Sequence, residues 1–139
     1  MGPRVQVSGV VQLNHRNMDL DESEGQIVAK VKDALGELLP SGSEGSVQYR
    51  IHVTGKQDST LRVVVVVFWG DLEDRDDDYL PTVVEWFKEF LKRWAGKKNN
   101  VGCKSSIMEI SATNVGGVYT SYETDGGEIV VEDIDSANS

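Results

Sequence analysis

The chain has 139 residues and a mass of 15.3 kDa, the size of one domain. It carries 14 basic and 23 acidic residues for a formal net charge of −9, and 39% of its residues are apolar. These figures exclude a disulfide scaffold and a generally basic nucleic-acid binder, and they fit a globular chain able to bury a core without covalent staples.

The first alternation is Val5, Val7, Gly9, Val11 and Leu13 against Gln6, Ser8, Val10 and Gln12, which predicts a strand over 4–13 with one apolar face. Asp19 to Glu24 then opens a helix. Asp21 or Ser23 can accept the orphan amide hydrogens, and the acids suit the positive end of the helix dipole. Ile27, Val28, Val31, Leu35, Leu38 and Leu39 form its apolar stripe, and Pro40-Ser41-Gly42 stops it. A half-buried strand follows over 47–54, with Gly55 to Ser59 as a hairpin loop. The strand from Leu61 to Trp69 is apolar on both faces, as a covered central strand would be.

Asp71 to Asp78 reads as an acidic loop, and Pro81 sits where a first helical turn tolerates proline. Leu80, Val83, Val84, Phe87, Leu91 and Trp94 make a second helical stripe, capped near Gly96. Three strands close the chain, over 105–113, 118–123 and 128–134, with glycine turns at 115–117 and 125–127. The segment 1–134 is expected to be one domain and 135–139 an acidic tail.

The order β-α-β-β-α-β predicts an α+β, ferredoxin-like split β-α-β fold with two added C-terminal antiparallel strands, and both helices on one face. The opposite face is then expected to carry Val10, Gln12, Arg50 and His52 around an apolar centre of Val64, Val66 and Phe68. Either the C-terminal meander folds back over such a patch, or another chain covers it, as patches of this kind mark interaction surfaces.

Two charged surfaces stand beside it. Asp71, Glu73, Asp74, Asp76, Asp77 and Asp78 form the acidic one. As a calcium loop the run fails the EF-hand spacing, because its sixth and twelfth positions are Asp76 and Thr82. Lys88, Lys92, Arg93, Lys97 and Lys98 form the basic one, extended by Lys104. Acid before the second helix and base after it make a dipolar chain, suited to head-to-tail assembly.

Chemistry-bearing motifs are sparse. Cys103, His15 and His52 are too few for a structural zinc site. Cys103 follows a basic stretch that would favour its thiolate, whereas half-burial would leave it inert. Val7-Ser8-Gly9-Val10-Val11-Gln12 resembles the start of the acylphosphatase signature, which implies a phosphate-cradling loop and a catalytic arginine on this same fold. The likeness covers those six residues. Leu13 to Asn17 then lacks the family's glycine and places Arg16 one position early, and Val47 to Thr54 lacks its asparagine, so no catalytic residue is carried over.

Taken together, the residues predict a non-enzymatic, self-associating protein-interaction module such as a viral or phage structural component. It would have no cofactor or metal, a protein partner that is itself, no membrane or nucleic-acid partner, and a cytoplasmic location. The longest apolar run, Val63 to Trp69, is far short of the roughly 20 residues that span a bilayer. The opening residues lack the apolar stretch of a signal peptide. The alternatives are an acidic mimic of nucleic acid that fills a basic groove, with Asp71–Asp78 and Glu123–Asp135 as its charge rows, and a small phosphatase of acylphosphatase type.

Overall fold

A computed structural model describes residues 2–16, 23–54, 61–95 and 101–134. Among the described residues the elements in chain order are β1 (Arg4–Arg16), α1 (Glu24–Leu35), β2 (Gln48–Thr54), β3 (Leu61–Glu73), a 3-10 turn (Asp77–Tyr79), α2 (Leu80–Trp94), β4 (Val101–Ser111), β5 (Gly116–Glu123) and β6 (Ile129–Asp133). The protein is α+β. All six strands join one antiparallel sheet in the order β2-β3-β1-β4-β5-β6. The predicted tail, 135–139, lies outside the described residues, as do the predicted loop 55–59 and the helix-opening residues 19–22.

Strand register decides which residues are buried. Paired residues in an antiparallel ladder share a face. Val11 pairs with Val66 and Gly9 with Phe68, so the apolar odd positions of β1 lie beside the even positions of β3. Ile27, Val31 and Leu35 of α1 and Val83, Phe87, Phe90 and Leu91 of α2 close over that face in one cluster with Val5, Val7, Val11, Met108 and Ile110. Phe68 is the hub. Its ring meets Trp86 edge-on at 5.3 Å between centroids and Phe87 at 5.7 Å. Beneath it lies Gly9, where an added Cβ would run into the Phe68 ring. The two helices are tied by Trp86 Nε1, which donates to the Leu35 carbonyl at 3.1 Å.

This register corrects one sequence expectation. Val64, Val66 and Phe68 are fully buried under the helices, not on the open face. Their alternates Val63, Val65, Val67 and Trp69 point the other way. An all-apolar strand gives no periodicity from which to choose its covered side. Only the partner register does so.

Several boundaries also shift, among them the start of β4, at Val101 and not 105. α1 stops at Leu35, because Gly36 takes φ 90° and its amide caps the Lys32 carbonyl. Leu38, predicted on the stripe, is therefore solvent-exposed. At the other end the N-cap is Ser23, in a capping box with Gln26. β3 runs on through Glu73, so Asp71 and Glu73 are strand residues, held by Arg4 across the ladder at 2.9 and 3.5 Å. β1 continues unbroken to Arg16, so Val7–Gln12 is strand throughout, and the phosphate loop implied by the acylphosphatase likeness is not formed there.

The Gly9–Phe68 contact yields a stability test. Phe68→Ala should cost about 3–5 kcal/mol, read by denaturant unfolding. Gly9→Ala should cost about 1–3 kcal/mol by overpacking. Phe68→Leu combined with Gly9→Ala should cost less than the sum of the two single changes, since the smaller side chain vacates the clash.

Candidate functional site

The open face of the sheet is uncovered among the described residues, because β5 and β6 extend the sheet at its β4 edge instead of folding back across it. Val10, Val67, Trp69 and Ile107 are exposed there, between 39 and 48%. Two cross-strand rows at one end of this face build a cleft. In the first, Gln48 pairs with Trp69, Trp69 with Ser8, and Ser8 with Glu109. In the second, Asp71 pairs with Gln6 and Gln6 with Ser111. Neighbouring strands are about 4.8 Å apart, so the Trp69 and Glu109 backbones, two strands apart, stand roughly 10 Å from each other with small Ser8 between them.

The resulting cleft is about 400 Å³, lined by Gln6, Val7, Ser8, Trp69, Gly70, Asp71, Glu109 and Ser111. A second hollow of about 330 Å³ shares Gln6 and Ser111 with it and reaches Arg4 and Thr113. These volumes fall in the range of small-molecule sites. The lining offers an indole face, two carboxylates, two serine hydroxyls and a glutamine amide. Arg4 already engages Asp71. Among the described residues Glu109 makes no ion pair. The set can hold a cation against the indole and a carboxylate, and a carboxylate can accept a proton. No thiol, imidazole or amine lines the main cleft.

The sequence-predicted residues are placed as follows. Val10, Gln12, Arg50 and His52 do share the open face, but on separate rows: Arg50 reaches Val10 through Val67, and His52 reaches Gln12 through Val65. The acids divide. Asp71 and Glu73 pair with Arg4, Asp74 takes φ 61° and bonds Ser43, Asp76 caps the 3-10 turn, Asp77 accepts from the Asn114 amide, and Asp78 is exposed. Among the described residues no three His, Cys, Asp or Glu side chains are grouped to hold a metal ion. On α2, Lys92 meets Glu89 at 4.0 Å, an exposed pair of small worth. Arg93 donates to the Ala34 carbonyl near the end of α1 at 3.3 Å, and Lys88 is half-buried. Lys97 and Lys98 lie outside the described residues, as do the side chains of His15 and Arg16.

Of the two readings of Cys103, the structure supports the half-buried, inert thiol over the activated one. Burial pushes the thiol up, and hydrogen bonds from Ser121 and Ser106 only partly offset this. Its Sγ lies 2.9 Å from Ser121 Oγ, which is 2.5 Å from Ser106 Oγ. Trp69, Ser8 and Glu109 were not singled out as a site in the sequence. Trp69 closes an apolar run and reads as core, and nothing in the sequence sets its register against Ser8 and Glu109.

Comparison with protein families and with curated proteins finds no match. Among solved structures the chain is similar to a phage SAM lyase in complex with S-methyl-5′-thioadenosine, at 16% identity and a TM-score of 0.36, over 98% of this chain and 94% of that one. That structure is of an enzyme, and on this finding the expectation of a non-enzymatic interaction module is corrected. At this level of likeness no residue role passes from the lyase to this chain. No helix among the described residues is long and apolar enough to cross a membrane.

The thiol environment predicts slow chemistry. A raised thiol pKa leaves less thiolate at neutral pH, so Cys103 should alkylate with iodoacetamide more slowly than a small free thiol, with the rate climbing only above the ordinary thiol range. Alkylation as fast as the free thiol at neutral pH would contradict the buried placement.

Proposed function

We propose that the chain binds a compact organic cation on the open face of its sheet, and that it belongs to the small-molecule-handling proteins. The observation that carries this reading is the row Trp69–Ser8–Glu109, an exposed indole and a carboxylate facing one another across a small residue. An indole face attracts a cation by about 0.5–1 kcal/mol at an exposed site, and more as water is excluded. The carboxylate supplies the charge that an apolar shelf lacks, and Gln6 and Ser111 supply hydrogen-bonding groups along the second row. We also assign the inner strands β2-β3-β1-β4 with α1 and α2 to a ferredoxin-like arrangement. The support is their order and the packing of both helices into one cluster on one face.

Two compounds test the charge requirement. S-adenosylmethionine is a sulfonium cation; S-methyl-5′-thioadenosine, the compound bound in the phage lyase structure, is an uncharged thioether. Binding is read from tryptophan emission, since Trp69 is exposed while Trp94 is buried and Trp86 packs against the core. The cation should bind at least about tenfold more tightly than the thioether, a difference of about 1.4 kcal/mol. Glu109→Gln should remove that preference, and Trp69→Phe should remove the signal at the site. Equal affinity for both compounds, or a preference untouched by Glu109→Gln, overturns the reading.

A further inference from the structure

The two edges of the sheet carry opposite charge on one continuous row. Arg50 pairs with Val67, Val67 with Val10, Val10 with Ile107, Ile107 with Thr120 and Thr120 with Glu132. Arg50 therefore stands at the β2 edge and Glu132 at the β6 edge, on the same face, and both are exposed. β2 holds Arg50 and His52 and no acid, and β6 holds Glu132 and Asp133 and no base. Both strands end the sheet, so each presents a row of backbone groups with no ladder partner among the described residues. A single sign on both edges would repel neighbouring copies, as protected edges do. Opposite signs attract them.

From these edges we propose that copies of the chain join head to tail, with the β6 edge of one copy completing the ladder at the β2 edge of the next. The geometry supports the direction of pairing. Five antiparallel steps separate β2 from β6, so the two strands run in opposite senses. A copy set edge to edge with the same face up continues the antiparallel ladder, and the row that ends in Glu132 meets the row that begins with Arg50. The faces match as well. On the helix side, the half-buried Ile51 would lie beside Val131 of the next copy, and on the open side His52 would lie beside Val130. Beside Ile51 a hollow of about 440 Å³, lined by Val28, Lys32, Tyr49 and Ile51, leaves room between α1 and β2 for the side chains of an added strand. The contact is heterologous, so it closes into a ring or propagates, according to the angle between copies.

Solution mass by light scattering over a concentration series tests this, with circular dichroism to check that each variant is folded. The wild-type chain should be larger than a monomer at the upper concentrations. Arg50→Glu and Glu132→Arg should each shift the mass toward monomer, because like charges then face each other in the row. The double variant Arg50→Glu/Glu132→Arg should restore the wild-type mass. The neutral variants Arg50→Gln and Glu132→Gln give an independent reading and should weaken association less than the reversals. Added salt should weaken wild-type association. A wild-type monomer throughout, single reversals that leave the mass unchanged, or a double variant no larger than the singles would each overturn the proposal.

Discussion

The packing of Phe68 into the notch left by Gly9 is the constraint on which the rest of the structure depends. It sits where the neighbouring strands β1 and β3 pair, and carries the edge of Trp86 and the ring of Phe87 above it. Through Trp86, which reaches the Leu35 carbonyl and stacks toward Phe90 at 6.5 Å, the same ring sets the distance between the two helices. A side chain at position 9 would lift Phe68, and with it both helices, away from the sheet. Close-packed interiors do not absorb a displaced ring without moving its neighbours. The contact also fixes register, since a slip of one residue between β1 and β3 would turn Phe68 to the open side and send Val67 inward.

That dependence explains what the sequence made legible. The type and order of the elements were readable because most segments carry a clear period: two for β1 and β2, three to four for α1 and α2. α2 spans Leu80–Trp94, where its stripe and Pro81 place it. What was not readable was the side to which β3 turns. Leu61 to Trp69 is apolar at every position, so its periodicity is silent, and assigning Val64, Val66 and Phe68 to the open face reversed it. The boundaries of β3 and α1 were hidden for different reasons. Arg4 pairs with both Asp71 and Glu73 across the ladder, so residues that read as loop lie in the strand. Gly36 ends α1 by its backbone conformation, before the proline that seemed to stop it.

The candidate cleft follows from the same register. Once Phe68 is fixed inward, Trp69 must face outward, and its neighbours on β1 and β4 are Ser8 and Glu109 by ladder pairing alone. Three residues far apart in sequence thus become one shelf. No local motif could have announced it, since the information lies in the pairing of three strands. The acids that looked like a single surface in sequence are split by the fold: Asp71 lines the cleft, whereas Asp74, Asp76 and Asp77 serve the turn that leads into α2.

The distribution of charge is a consequence of topology rather than of composition. The chain's net charge of −9 would suggest a uniformly repelling surface. Sheet order concentrates it differently. β2 is second among the strands in sequence yet sits at one edge, while β6, last in sequence, sits at the other. The basic residues of the first and the acidic residues of the second are therefore separated by the full width of the sheet. A molecule with excess negative charge keeps one edge with no acid on its strand, and the row from Arg50 to Glu132 gives the sheet a direction that its fold alone lacks. The apolar residues between, Val67, Val10 and Ile107, carry no charge to screen that polarity across the face. The indole-and-carboxylate shelf at one end of the open face and the oppositely charged strands at the two edges share no residue.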